Sequence, residues 1–338
     1  MSSSSLTLCD APGCGLLGIF RCSRCEEACY CNRECQARAW PDHKGPCKAT
    51  VLARAASLGG GGGGAIDPDL KLNKLKKDAE GGNTVAQFNL GVCFDNGTDH
   101  IKVNYREAVK WYTRAAEARH SGAQRNLGLC YFNGTGVAVN NREAVKWFSR
   151  AAEAGHADAA YNLGNCFDNG VGVAVNKREA VKWYMRSAEA GYADAQVNLG
   201  VCYDSGEGIA VDKREAIKWY TRAADSGHSG AQYNLGSCCE KGNGVPVDKV
   251  EAVVWYRRAA DAGNANAMQN LGLCYMSGSG VTVDKEEAVK WWLRAAELGI
   301  VTAQYNLGRC YEKGDGVDVD KREAVKWFTK ATETGSKE

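Results

Sequence analysis

The sequence predicts an all-α chain: a solenoid of seven helix-turn-helix repeats, preceded by a small module that needs metal to fold. Three observations carry that expectation. One pattern recurs seven times from residue 86 to residue 338, at a spacing of 36 residues except for a first copy of 37. Each copy holds two amphipathic segments with helix start and stop signals. Nine cysteine or histidine residues crowd into positions 9–47, a stretch too poor in apolar residues to build its own core.

The copies open at Ala86, Ala123, Ala159, Ala195, Ala231, Ala267 and Ala303; the extra residue of the first lies in its loop around Asp99–Ile101. Repeat periods of 20–50 residues mark stacked architectures. Helix A of the second copy reads AQRNLGLCYFN. At about 100° per residue, Ala123, Leu127, Cys130 and Tyr131 fall on one apolar stripe. Gly134 stands where a glycine usually ends a helix, and Gly136 continues a tight loop. Helix B starts at an Asn or Asp followed three residues later by Glu, as in Asn140/Glu143, Asp212/Glu215 and Asp284/Glu287. That spacing resembles a capping box. Ala144, Trp147, Phe148, Ala151 and Ala152 then form its buried face. One pair of helices cannot bury such a stripe alone, so the stack is the folding unit. Residues 70–85 open with a lone helix-B-like segment, LKLNKLKKDAEGG, suited to capping the first copy. Thr329, Thr332, Glu333 and Thr334 make the last copy more polar at its end.

Whatever stacking requires must recur in every copy, so the variable positions are the free ones. On helix A these are the third, seventh and tenth, which project at about 200°, 240° and 180°, together and away from the stripe. They include Phe88, Tyr161, Asp168, Asp204, Tyr233, Glu240, Tyr305 and Glu312. Aromatics beside an acidic row suit a groove for an extended or helical peptide with basic and apolar side chains; a solvated face is the plainer reading. Asn89, Asn126, Asn162, Asn198, Asn234, Asn270 and Asn306 recur mid-helix, where asparagine is a mediocre helix former. Either a hydrogen-bonded ladder between copies or grip on a peptide backbone would recover that loss. The recurring Cys93, Cys130, Cys166, Cys202, Cys238, Cys274 and Cys310 lie a whole repeat apart, poor geometry for bridging, and read as small buried hydrophobes. The outward residues of helix B are basic, as in Lys146/Arg150, but Glu117, Glu153, Glu189 and Glu297 can offset them. A solvated convex face is expected there.

Composition narrows the function. With 42 basic and 40 acidic side chains, attraction to nucleic acid or acidic membranes is not expected. No apolar run reaches the roughly 18 residues of a membrane helix. Met1–Asp10 lacks the marks of a signal peptide. An intracellular chain, cytoplasmic or nuclear, is therefore expected, and a reducing compartment favours metal over disulfides. The spacings from Cys9 to Cys47, skipping Cys29, are C-x4-C-x7-C-x2-C-x5-C-x3-C-x7-H-x3-C. Close pairs let two ligands reach one ion, so eight ligands suffice for two tetrahedral zinc ions with no open position. Six basic and five acidic residues in positions 1–50 lend DNA binding little support. After Cys47 come KATVLARAASL and six glycines, Gly59–Gly64, a composition that behaves as flexible coil.

Two family resemblances follow from these motifs. LG-x-CY, G-x-GV-x-VD, EAVKW and RAAEAG resemble Sel-one-like repeats, relatives of the tetratricopeptide repeat, over residues 86–338. This implies a right-handed superhelical scaffold with helix A on its concave side. CSRC, YCNREC, Trp40 and HKGPC resemble an MYND-type zinc finger over residues 9–47. The latter implies interleaved structural sites: Cys9, Cys14, Cys31 and Cys35 on one zinc, Cys22, Cys25, His43 and Cys47 on the other. Cys29 is the spare, because Cys31 keeps the preceding Tyr and the step to Cys35. The first pair departs from the commoner two-residue gap, which makes Cys9 the weakest ligand assignment. Arg21, Arg24, Arg33 and Lys44 are placed to soften the thiolate charge. MYND fingers bind short proline-containing peptides, and Gln36 and Trp40 carry over as groove contacts. The expected organisation is an N-terminal stretch 1–8 without structure, a finger at 9–47, a linker at 48–69, a capping helix at 70–85 and seven repeats at 86–338. The expected function is a monomeric, non-enzymatic adaptor for two protein partners. A substrate adaptor in ubiquitin-dependent degradation is the alternative, and a partner of a histone- or protein-modifying complex a further one. Some MYND proteins are lysine methyltransferases, but nothing here resembles their SET domain, and no F-box segment is present.

Overall fold

The computed structural model describes residues 20–21, 29–30, 68–98 and 100–335, with side chains from residue 72 onward. The zinc ligands, Gln36, Trp40, the stretch 1–8 and the glycine run lie outside the described residues. Strands β1 (Phe20–Arg21) and β2 (Cys29–Tyr30) pair antiparallel, Phe20 opposite Tyr30 and Arg21 opposite Cys29. All other regular structure among the described residues is helical.

The chain divides into two compact units. The first comprises Met1–Cys202 and Gly206–Ala210, the second Tyr203–Ser205 and Val211–Glu338. Its helices are α1 (Pro68–Glu80), α2 (Thr84–Asn96), α3 (Tyr105–Glu117), α4 (Ser121–Asn133), α5 (Asn141–Glu153), α6 (Ala157–Asn169), α7 (Lys177–Glu189) and α8 (Ala193–Ser205), whose last three residues belong to the second unit. That unit continues with α9 (Lys213–Asp225), α10 (Ser229–Lys241), α11 (Lys249–Asp261), α12 (Ala265–Ser277), α13 (Lys285–Glu297), α14 (Val301–Lys313) and α15 (Lys321–Gly335). Even-numbered helices are the A helices of successive repeats, and the odd-numbered ones from α3 on are their B helices. In the first unit α1 packs on α2, and from α2 to α7 each helix packs on the next. In the second unit the same holds from α9 to α15.

Helix α1 starts at Pro68, since proline suits a first helical turn, and ends at Glu80 before Gly81 and Gly82. Each A helix starts two residues before its recurring alanine, because the residue three before that alanine is the cap. Asn83, His120, His228 and Asn264 accept there from the alanine N–H. The B helices start as the sequence implied. Asn104, Asn140, Asn176, Asp248 and Asp284 accept from the backbone N–H three residues on. Such a cap contributes about 1 kcal/mol. The reciprocal half of the expected capping box differs. Glu143 binds Lys146 at 2.5 Å, while the Asn140 N–H donates to Tyr131 O of the A helix at 2.8 Å. The cap N–H is already satisfied by the helix pair, so the glutamate turns outward.

Buried residues are mainly alanine, leucine, valine, cysteine and aromatic side chains. In the first unit Ala108, Tyr112, Ala115, Ala123 and Leu127 form one cluster and Ala144, Phe148, Ala151, Ala159 and Leu163 another. In the second, Ala252 to Leu307 form a continuous core that includes Tyr256 and Trp292. Glycine is what allows the close approach. A Cβ on Gly164 would sit 2.6 Å from two ring carbons of Tyr184. Gly136, at φ +75°, lies so close to Tyr105 O that a Cβ would fall 2.3 Å from it, which docks each loop on the preceding B helix. In the last repeat Thr329, Thr332 and Glu333 are exposed, and so is Val325, at 63%, where Val109, Val145, Val181, Val253 and Val289 are buried.

A recurring glutamine ties repeats together. Gln87, Gln124, Gln196, Gln232 and Gln304 are buried and donate to an alanine carbonyl of the preceding helix, Ala79, Ala116, Ala188, Ala224 and Ala296 respectively. Helix α1 thus meets α2 as each B helix meets the A helix after it. The glutamine that follows five of the seven opening alanines is a readable signal of this clip.

The described cysteines carry no disulfide. Cys130, Cys166, Cys202, Cys238, Cys239, Cys274 and Cys310 are buried, while Cys93 is half-buried. Burial pushes the Cys166 thiol up to about 11 and, with the nearby Asp95, the Cys130 thiol up to about 12. Thiolate is the reactive form. Iodoacetamide applied to the native chain near neutral pH should therefore alkylate Cys93 well before Cys130 or Cys166, as read by peptide mass spectrometry. Equal rates would mean that the helix pairs open far more readily than this packing implies.

Candidate functional site

The variable face of the A helices is built on the buried aromatic of the B helix. That aromatic is Tyr112, Phe148, Tyr184, Tyr220, Tyr256, Trp292 or Phe328 in successive repeats, and the first six are buried. The third-position ring of helix A leans on it. Phe88 lies 6.1 Å from Tyr112, Tyr161 6.1 Å from Tyr184, Tyr233 5.9 Å from Tyr256 and Tyr305 5.6 Å from Phe328, all tilted. Phe88 also stacks on His120 at 4.6 Å, and Tyr161 tilts against Tyr192 at 5.0 Å. These aromatics are half-buried, except Tyr305, which is 52% exposed.

The acidic row proves to be engaged. The Tyr112 hydroxyl donates to Asp95 at 3.2 Å and that of Tyr256 to Glu240 at 2.7 Å. Asp168 pairs with Lys177 at 2.8 Å and Asp204 with Lys213 at 2.7 Å. Tyr184 turns instead to Asn165 Oδ1 at 2.7 Å. Burial first, then the neighbouring acid, raises the tyrosine pKa values, so the hydroxyls stay protonated donors. Glu312 is exposed, in the repeat whose ring is Phe328. In the first six repeats the tenth position follows the type of ring on the B helix. Acids stand over the tyrosines, whereas Phe132 stands over Phe148 and Met276 is paired in its repeat with Trp292. Sequence reading treated this position as free because it looked at one helix. The signal lay 16 or 17 residues downstream, in the presence or absence of a hydroxyl.

The recurrent asparagine joins the same network. Asn126, Asn198 and Asn270 hydrogen-bond the tyrosine hydroxyl of the preceding repeat, on Tyr112, Tyr184 and Tyr256. Asn198 Nδ2 also reaches Asn165 Oδ1 at 3.4 Å. The opposite face matches the solvated reading. Lys146, Lys182 and Lys218 pair with the glutamate three residues before, and Arg150, Arg186 and Arg222 lie over Trp147, Trp183 and Trp219 at 4.5–4.7 Å. Exposed pairs of this kind add little to stability, because water screens them. Among the described residues no cluster of His, Cys, Asp and Glu could hold a metal, and no helix is long and apolar enough to cross a membrane.

Helix pairs locked by ring, glycine, glutamine and asparagine, with variable side chains on one face, define a helical-repeat protein. The Sel1 repeat model matches residues 84–120, 121–156, 157–192, 193–228, 229–264, 265–300 and 301–336, and the chain belongs to that family. It also carries a MYND finger, matched over residues 9–47. A Sel1 repeat protein from Oxalobacter formigenes is 31% identical at a TM-score of 0.66, covering 72% of this chain and 96% of the other. A protective antigen of uropathogenic Escherichia coli, described as displaying an SLR fold, is 30% identical at a TM-score of 0.74, covering 90% of this chain and 64% of the other. The finger resembles human histone-lysine N-methyltransferase SMYD3, 49% identical over 41 residues, and pig N-lysine methyltransferase SMYD2, 49% over 35 residues. Those matches span 12% and 10% of this chain and only 10% and 8% of the methyltransferases. The chain thus spans about a tenth of the length of the curated relatives it matches, over the finger alone. A MYND finger implies zinc binding, and thiolate-rich donors with one histidine suit that ion. Finger and repeats together fit a protein-interaction adaptor.

Proposed function

We propose that this protein is a non-enzymatic adaptor that holds two protein partners together. The finger would take short proline-containing peptides through Gln36 and Trp40. Two structural zinc ions would hold it, on Cys9, Cys14, Cys31 and Cys35 and on Cys22, Cys25, His43 and Cys47. The A-helix face would take the second partner through Phe88, Tyr161, Asp168, Asp204, Tyr233, Glu240, Tyr305 and Glu312. The glycine-rich linker would raise the effective concentration of one partner near the other.

The observation that supports this reading is that the variable A-helix positions carry exposed apolar side chains. Phe132 is 39% exposed, Val201 45%, Leu273 45% and Tyr305 52%, each at a variable A-helix position. Such side chains outside a core are what a partner surface uses. The acids retain capacity as well: Glu240 meets Tyr256 through one oxygen and Asp168 meets Lys177 through one.

The test is affinity capture by full-length protein carrying Asp168→Lys, Asp204→Lys and Glu240→Lys together. The helical circular dichroism should persist. The repeat-bound partner should be lost, and any partner that needs only residues 1–58 should be kept. Unchanged capture by the folded triple variant would remove the A-helix face from the proposal.

A further inference from the structure

Repeat 2 breaks the tyrosine–acid pattern of its neighbours in the first unit. Phe132 stands where repeats 1 and 3 have Asp95 and Asp168, and Phe148 where they have Tyr112 and Tyr184. The two phenylalanine rings lie 6.5 Å apart, tilted by 51°. Beside them opens a cavity of about 170 Å³, lined by Leu129, Phe132, Phe148, Asn162, Asn165, Cys166, Asn169 and Val171. A wholly apolar cavity of about 150 Å³ can hold a benzene ring, so by volume there is room here for one leucine side chain.

A second, independent observation concerns Asn162. The equivalent Asn126 and Asn198 bond a tyrosine hydroxyl of the repeat before. Asn162 follows Phe148, which has no hydroxyl, and its Nδ2 is buried without a hydrogen-bond partner. A buried donor left unmade costs about 1–3 kcal/mol, so the vacancy calls for an acceptor. Rotation about the broad terminal torsion of the side chain can present that amide to the cavity. On the next turn, Asn165 uses its Oδ1 for Tyr184 and Asn198.

The charges select the occupant. No lining residue is charged. Arg125, on the helix that carries Leu129, pairs with Asp158 at 3.7 Å and donates to Asn126 Oδ1 at 3.0 Å, with its Nε left unpartnered, and Lys177 pairs with Asp168 and Glu207. Neither an anion nor a cation would meet a countercharge in the lining, and a charged group would face Leu129, Phe132, Phe148 and Val171. A neutral group with an apolar body and a carbonyl acceptor fits both walls. We infer that this cavity anchors one leucine-like side chain of a partner peptide, whose backbone carbonyl accepts from Asn162. The inference rests on the A-helix face being a partner surface.

The test uses the full-length, isotope-labelled chain and two blocked tripeptides, acetyl-Gly-Leu-Gly-amide and acetyl-Gly-Lys-Gly-amide. The leucine peptide should shift the Asn162 side-chain amide and Cys166 resonances saturably, and the lysine peptide should not. Phe132→Asp and Leu129→Asn should each abolish the shifts. Both install what repeat 3 carries at the matching positions, Asp168 and Asn165; circular dichroism checks that each is folded, and two variants guard against misfolding of one. Absence of saturable shifts, equal response to the lysine peptide, or shifts that survive in both folded variants would overturn the anchor. Those results leave the capture experiment untouched, so the failure of this site and of the whole face remain distinguishable.

Discussion

Replacing Gly164 by alanine should destabilise the first unit by about 1–3 kcal/mol, the usual penalty of overpacking a tight core. The direction is the informative part. In a solvent-exposed helix the same change gains about 1 kcal/mol, because glycine is among the poorest helix formers. Here the new Cβ would lie 2.6 Å from two carbons of the Tyr184 ring, which is itself 1% exposed and has nowhere to go. Tyr184 also donates to Asn165 across the helix pair, so moving it breaks a hydrogen bond. The measurement is urea unfolding of the parent, Gly164→Ala, Tyr184→Leu and the double variant. Neighbouring sites couple by roughly 0.5–3 kcal/mol, and the double variant should lose less than the sum of the singles. Additive losses would show that ring and glycine do not meet. Because repeat stability is a sum of local and neighbour terms, the effect should appear in the transition of the first unit.

Stripping zinc should have a still larger effect, confined to the other module. Structural sites in isolated fingers are worth roughly 10–16 kcal/mol each, more than a segment of 39 residues can supply from apolar burial. Chelation should release close to two zinc ions per chain and unfold residues 9–47. The helical signal should stay, since no described residues of the repeats could hold a metal. Cys22→Ser should lower the zinc content by about one ion, and Cys29→Ser should leave it unchanged. A zinc content far below two, or loss of the helical signal with the metal, would overturn the paired-site assignment.

These two experiments probe features of unequal legibility. The repeat was plain in the sequence because stacking forces the same residues back every 36 positions. Ala123, Leu127 and Ala144 could be placed on buried faces from periodicity alone, and Asn140 and Gly134 at helix ends from their backbone chemistry. The glutamine clip recurs in five of the seven repeats, but its partner is an alanine carbonyl on the preceding helix, which one helix alone does not show. The variable face was legible only in outline. Its positions could be listed from one helix, but whether Asp95 or Glu240 is free depends on a tyrosine from another helix.

The sequence by itself determined the class of protein and its parts: a ligand spacing that suits paired zinc sites, and amphipathic helix pairs that cannot bury their stripes without neighbours. Local spacing and local periodicity suffice for both. Only the tertiary structure decided which side chains remain for a partner. Packing α2 on α3 sets the Tyr112 hydroxyl against Asp95, while packing α4 on α5 sets Phe148 beneath Phe132 and leaves Asn162 without its bond. The physical reason is that a hydrogen bond between helices needs both partners in register, and that register belongs to the helix pair rather than to either segment.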